Sequence, residues 1–277
     1  MKNLFHAGVL QMNSVDSWDQ NLTWVMSQLN SKAFQDHVNP VDCVFLPENC
    51  LYLRIKEGEQ VKSQSLTWSG FQNLRDWSKQ NKIALHLGSV PVEIENQLYN
   101  SSLFIDSAGQ LFPSYQKIHL FDIQLENQKP VRESDVFSHG SRPEIIQVEN
   151  WNIGQSICYD IRFSELYSLY AKAQVDIMVI PAAFLQTTGE AHWHVLNRAR
   201  AIESQAFIIS ACQTGEHKSG SFSRKTYGHS LVVSPWGEVL LDAGSGTGLS
   251  FCTLDRQKIV KTRTQIPMKN HRRLISN

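Results

Sequence analysis

Ile153-Gly154-Gln155-Ser156-Ile157-Cys158-Tyr159-Asp160-Ile161-Arg162-Phe163 is the stretch on which the reading of this sequence turns. The apolar run 151–157 has the length of a buried strand and stops at one cysteine. A polar turn follows, and then Phe163, Leu166, Tyr167 and Tyr170 fall at i, i+3, i+4 and i+7, the spacing of a helix face. A side chain at a strand end, just before a helix, is held rigidly and can still be reached. Cys158 is therefore a candidate nucleophile, to be weighed against the commoner role of a lone cysteine as a small core residue.

The same alternation of strand and helix extends both ways. Upstream, 145–148 and 151–157 flank Glu149-Asn150 as a hairpin. Downstream, 176–180 is a strand closed by Pro181, 190–205 a helix and 207–211 a strand. Residues 215–225, rich in Gly, Ser and Lys, read as a mobile surface loop. Strands at 230–234 and 238–241 flank Pro235-Trp236-Gly237, 249–254 is the last strand, Asp255 can cap a short helix, and 268–277 is a polar, basic tail. In the first half, 5–12 is a buried strand. Ser17 caps a helix with the stripe Leu22, Val25, Met26 and Leu29. Strand 41–46 runs into Pro47-Glu48-Asn49-Cys50. A polar loop spans 56–65, and helix 70–81 turns Phe71, Leu74 and Trp77 inward. Pro91 marks strand 83–92 as an edge or a bulge. Strands 100–105 and 111–116 form a hairpin around Gly109, and 125–143 is polar and irregular. No linker or repeat divides the chain. The expectation is one α/β domain over 1–277, with mixed sheets covered by helices.

Bulk properties exclude several classes. Twenty-six basic residues balance 26 acidic ones, which gives no basis for a nucleic-acid or anionic-membrane partner and permits self-association. No apolar run approaches the roughly 18–20 residues that span a bilayer, and the N-terminal run is too short for a signal peptide. Cys43, Cys50, Cys158, Cys212 and Cys252 are odd in number and contain no CxxC, so neither a disulfide framework nor a zinc site is expected; a reducing, cytoplasmic setting fits.

Two further reactive side chains stand just past strand ends, Glu48 and Lys117. A thiol near neutrality is mostly protonated. A carboxylate can accept its proton and later deliver it to a leaving amine, but cannot favour the thiolate by charge. Lys117 is the cation expected to do that, and it could also hold an oxyanion together with a backbone N–H near Tyr159. A cysteine–histidine pair is the alternative, with His119, His192, His194 and His229 available. HExxH, GxSxG, P-loop and GxGxxG motifs are absent, so no metal or nucleotide cofactor is expected.

Leu46-Pro47-Glu48-Asn49, Tyr115-Gln116-Lys117-Ile118-His119-Leu120-Phe121-Asp122 and the cysteine stretch resemble, in that order, the motifs of the nitrilase superfamily of carbon–nitrogen hydrolases. The likeness runs from about Phe5 to about Arg273. It implies a four-layer α-β-β-α sandwich that dimerises into an eight-layer assembly. It implies Glu48 as general base, Lys117 as oxyanion stabiliser and Cys158 as nucleophile, with Glu133 as a second glutamate that steadies Lys117. Residues 184–193 and 198–205, with Tyr227-Gly228-His229-Ser230, resemble the small-amidase branch, which holds ω-amidases and deaminated-glutathione amidases. Residues 211–217, followed by Arg224 and Lys225, are closer to the latter. The implied reaction is hydrolysis of a linear amide of a small carboxylic acid through a Cys158 thioester, with deaminated glutathione giving 2-oxoglutarate and cysteinylglycine. ω-Amidase action on α-ketoglutaramate or α-ketosuccinamate is the near alternative, and an inactive scaffold the alternative of another class. The chain departs from the branch at Ser164, where it has proline, and at His194, where it has glutamate.

Overall fold

The computed structural model describes residues 2–56, 58–124 and 131–273. Within them the first half of the chain supplies β1 (Leu4–Gln11), α1 (Trp18–Leu29), α2 (Lys32–Gln35), β2 (Cys43–Phe45), α3 (Ser69–Asn81), β3 (Ala84–Ile94), β4 (Gln97–Ile105), β5 (Leu111–Gln116), β6 (Asp122–Ile123) and β7 (Val131–Arg132). The second half adds β8 (Ile145–Val148), β9 (Trp151–Gln155), α4 (Ser164–Lys172), β10 (Ile177–Val179), α5 (Gln186–Ser204), β11 (Phe207–Ser210), β12 (Thr214–Ser219), β13 (Phe222–Tyr227), β14 (Leu231–Val233), β15 (Val239–Asp242), β16 (Gly248–Asp255), α6 (Arg256–Gln265) and α7 (Met268–His271).

Two six-stranded sheets run β16-β1-β2-β3-β4-β5 and β15-β14-β11-β10-β9-β8. Each has a parallel trio, β1-β2-β3 and β9-β10-β11, flanked by antiparallel strands, so the sheets are mixed. Side chains of a strand alternate between faces even where the run is apolar throughout. Phe5, Ala7, Val9, Cys43 and Phe45 thus meet Trp151, Ile153, Ile177, Val179 and Phe207 in an apolar layer between the sheets. Leu10, Val44 and Leu85 face the other way, onto Val25 and Leu29 of α1 and Phe71 and Leu74 of α3. Met178 and Ile208 do the same against Tyr167 and Tyr170 of α4 and Trp193 of α5. The result is the expected α-β-β-α order. The Ser17 side chain caps α1 by accepting from the Gln20 amide.

Some expectations need correction. Residues 215–225 are not a loop: β12 and β13 pair antiparallel from Thr214↔Tyr227 to Ser219↔Phe222. Only Thr214, His217 and Thr226 are buried there, so the ribbon carries no apolar alternation to read. Of the two readings of Pro91 the edge fails and the bulge stands: β3 lies between β2 and β4, and its register slips nearby, between Leu87 and Val90. Helix α5 begins at Gln186, four residues before the expected start. Residues 125–130 and 274–277 of the expected polar segments lie outside the described residues. Among the described residues no helix is long and apolar enough to cross a membrane.

Candidate active site

The C-terminal ends of β2, β5 and β9 bring the three strand-end residues together. Glu48 leaves β2 along the bulge of β3, where Ser89 N–H donates to Pro47 O (3.3 Å) and Ser89 Oγ accepts from Asn49 N–H (3.1 Å). A side chain at Gly88 would lie 2.1 Å from Leu46 O and 2.2 Å from Pro47 O, so only glycine admits this approach. Lys117 extends β5 by one bond, its N–H to Asn100 O (3.0 Å). Cys158 opens a 3₁₀ turn, Cys158–Arg162, after β9. Its N–H donates to Pro181 O (2.9 Å) beyond β10, and its φ of 46° is left-handed, which is disfavoured for any residue with a side chain.

A buried carboxylate pins that turn. Asp160 accepts from Ile157 N–H (2.9 Å), the Tyr115 hydroxyl (2.8 Å), His119 N–H (3.0 Å) and His119 Nδ1 (2.7 Å), which ties the cysteine turn to the chain around Lys117. His119 is thus committed to Asp160 and stacked on Phe163. His192 approaches Arg162, and His194 and His229 approach Asp242. None of these four histidines lines the pocket that holds Cys158, so the histidine-pair alternative has no geometric support.

Lys117 Nζ donates to Glu48 Oε1 (2.9 Å) and to Glu133 Oε2 (2.8 Å). Asn100 Nδ2 spans the same two carboxylates, at 3.1 Å from Glu48 Oε1 and 2.9 Å from Glu133 Oε1. Glu48 Oε2 accepts from Ala183 N–H (2.8 Å), and Glu133 Oε2 accepts from Phe121 N–H (2.7 Å). Sequence reasoning missed Asn100 and Ala183. Nothing in the order of residues marks an asparagine within a strand or a backbone amide as partners of a glutamate far along the chain.

Two carboxylates against one ammonium set the electrostatics. Burial works against the Lys117 charge, but attraction from Glu133 and then Glu48 outweighs it and holds the ammonium well above its ordinary pKa. Burial likewise works to raise the Glu48 carboxyl, and the Lys117 charge, with hydrogen bonds from Lys117, Cys158 and Ala183, brings it below the ordinary value. Burial pushes the Cys158 thiol well up, the Glu48 charge adds to that, and Lys117 and the Ala183 amide offset it only in part. Lys117 thus favours the thiolate, as expected, but burial and the Glu48 charge outweigh it and the net direction is upward.

The pocket is lined by Cys158, Glu48, Lys117 and Glu133, with Tyr52, Phe121, Phe184 and Thr188 as walls and Arg54 and Arg224 as cations. Arg224 comes from β13, so the ribbon misread as a loop reaches the site. Its Nε is buried without a hydrogen-bond partner among the described residues. Ser164 is the first residue of α4, and His194 is not part of the pocket.

A profile described as carbon–nitrogen hydrolase matches residues 6–264. The chain is 35% identical to the deaminated glutathione amidase of Dictyostelium discoideum, over 99% of this chain and 96% of that one. It is 34% identical to the human omega-amidase NIT2, over 95% and 92%. The crystal structure of Saccharomyces cerevisiae Nit3, described as a member of branch 10 of the nitrilase superfamily, superposes with a TM-score of 0.76 at 26% identity, over 97% of this chain and 96% of that chain.

Proposed function

The chain belongs to the carbon–nitrogen hydrolase family, and on that footing we propose that residues 1–277 act as one thiol-amidase domain. Cys158 Sγ attacks the amide carbonyl carbon as its proton passes to Glu48. The tetrahedral oxyanion is held by Lys117 Nζ and by an early amide of the 3₁₀ turn, near Tyr159, since the first amides of a helical turn have no partner within it. Glu48 then gives the proton to the leaving nitrogen, the C–N bond breaks, and a thioester remains on Cys158. Glu48 next takes a proton from water, the hydroxide adds to the thioester carbonyl, and the C–S bond breaks to release the acid and restore the thiol. Asn100 and Glu133 position Lys117. One observation carries this reading: Cys158, Glu48 and Lys117 meet at one pocket, with the lysine held by two carboxylates.

The preferred substrate is a linear amide bearing carboxylates, with deaminated glutathione ahead of α-ketoglutaramate. Arg54 and the unpartnered Nε of Arg224 supply the cationic end of the pocket for such an anion. The enzyme works in the cytoplasm as a homodimer or larger homo-oligomer. A panel assay tests the substrate: turnover of α-ketoglutaramate far above that of deaminated glutathione overturns the preference. For the nucleophile, acid-quenched protein should carry an acyl adduct on the Cys158 peptide, and Cys158→Ala should be inactive. An adduct on Cys50 or Cys212, or full activity in that variant, refutes the assignment.

A further inference from the structure

Outside the pocket, three side chains from three elements converge on one point. His194 Nε2 from α5 lies 3.0 Å from Asp242 Oδ2 at the end of β15, and His229 Nδ1, two residues before β14, lies 2.8 Å from Asp242 Oδ1. One donor atom from each residue falls within 4.8 Å of the other two. We infer that His194, His229 and Asp242 bind one divalent transition-metal ion of the zinc class.

Two of the three donor separations, 3.0 and 2.8 Å from the imidazoles to Asp242, are near those a small cation needs, and the two imidazoles lie within 4.8 Å of each other. Zinc bonds of about 2.0–2.1 Å in tetrahedral array place ligand atoms about 3.3 Å apart, so an ion could replace the two N–H···O hydrogens with small shifts. Two imidazoles and one carboxylate suit zinc, cobalt or nickel and not magnesium or calcium, which prefer oxygen donors. The ligands are also held in advance. His229 sits at φ 53°, a left-handed conformation fixed by its N–H to Gly244 O (2.7 Å) and by Trp193 Nε1 donating to its carbonyl (2.8 Å). Asp242 Oδ1 accepts from Gly244 N–H (2.9 Å), and Tyr227 stacks on the His229 ring. The side chains of His194, His229 and Asp242 are 36%, 27% and 34% exposed, which lets an ion in and leaves positions for water.

The plain alternative is a pair of His–Asp hydrogen bonds with no ion. The two differ in what a bound ion would do. It would clamp α5 to β14 and β15, and Trp193, beside His194, packs on the pocket-lining Phe184 at 4.8 Å between ring centroids. The site is therefore a structural clamp next to the pocket wall and no part of the thiol chemistry. His194 is one of the two residues at which the sequence departs from the amidase pattern, and it supplies the second imidazole. Without the fold, nothing in the spacing joins it to His229 and Asp242.

The experiment uses full-length Cys158→Ala protein, so that the thiol cannot compete for metal, stripped with chelator and then titrated with Zn²⁺ and Co²⁺. Calorimetry should give one Zn²⁺ per chain, and the Co²⁺ spectrum should show d–d bands without thiolate charge transfer. Zn²⁺ should raise the melting temperature, and Mg²⁺ should not. His194→Gln, on a partly exposed helix position, and Asp242→Asn should each weaken binding at least tenfold and abolish the melting shift while leaving the circular dichroism spectrum unchanged. Absence of stoichiometric binding, a thiolate band, or equal affinity in His194→Gln overturns the assignment.

Discussion

Glu48→Gln should make the Cys158 thiol easier to ionise while making the enzyme far worse. As it stands the site carries Glu48 and Glu133 against Lys117, a surplus of one negative charge, and Glu48 is the charge that most raises the thiol. Two unit charges about 4 Å apart interact by about 4 kcal/mol at an effective dielectric constant of about 20, which corresponds to about 3 pKa units. Loss of the Glu48 charge acts to lower the thiol and relaxation of Lys117 toward Glu133 offsets part of that, leaving a net fall. The assay is the pH dependence of alkylation by iodoacetamide, read by mass spectrometry on the Cys158 peptide. The midpoint should move to lower pH in Glu48→Gln. Amidase kcat/KM should at the same time drop by about 10²–10⁴-fold, the range of a lost general base. A midpoint that stays or rises would show that the Glu48 charge does not raise the thiol, and the division of labour between Glu48 and Lys117 would be wrong.

Three further perturbations address the scaffold. Asp160→Asn leaves one oxygen and one NH₂ group to face four donors, so at least one meeting becomes donor against donor; stability should fall by about 2 kcal/mol and kcat/KM by about tenfold or more, with the Cys158 alkylation rate showing whether the turn has moved. Gly88→Ala places a methyl 2.1 Å from Leu46 O, and overpacking of about 1–3 kcal/mol should appear as a lower melting temperature together with a loss of kcat, because the displaced backbone carries Glu48; unchanged kcat would refute that coupling. Burial lowers His86 and His217 from 6.5 to about 4 each. Between those pH values the unfolded chain binds protons that the native chain does not, so stability falls as pH drops from 6.5 and the loss levels off below 4. It amounts to at most about 3 kcal/mol per histidine. Urea midpoints at pH 7 and pH 5 check this, and a midpoint independent of pH in that range contradicts it.

What could be read from residue order follows from what local chemistry encodes. The strand runs, the Ser17 cap and the Cys158 turn were legible because alternation, capping and the switch of period are local signals. The ribbon β12–β13 was not, since glycines, serines and charges along it speak for a loop while pairing and the burial of His217 and Thr226 speak for strands. Glu48, Lys117 and Cys158 each stood out as a reactive group past a strand end, yet their meeting was visible only through family likeness. Glu133 had no signal of its own apart from that likeness. The opposed effects of Lys117 and Glu48 on the thiol follow from charge type alone, but which of them prevails depends on burial, which only the fold sets. Asn100 was invisible because its role is to span two groups that only the fold brings near each other.

The site is divided between two sheets. Glu48 and Lys117 stand just past strands of one, Cys158 and Ala183 just past strands of the other, and the layer between the sheets is apolar side chains apart from one buried polar contact, His86 Nε2 to Gln155 Oε1 (2.7 Å). The bond from the Ala183 amide to Glu48 therefore crosses the seam. Such a seam resists separation strongly but lateral slip weakly, because dispersion contacts have little direction. Turnover in this protein is thus a gauge of alignment between sheets, finer than any melting curve. Ile153→Val, at about 0.5–1.5 kcal/mol, should lower activity by more than that loss of stability accounts for, and on heating activity should fade before the strands part.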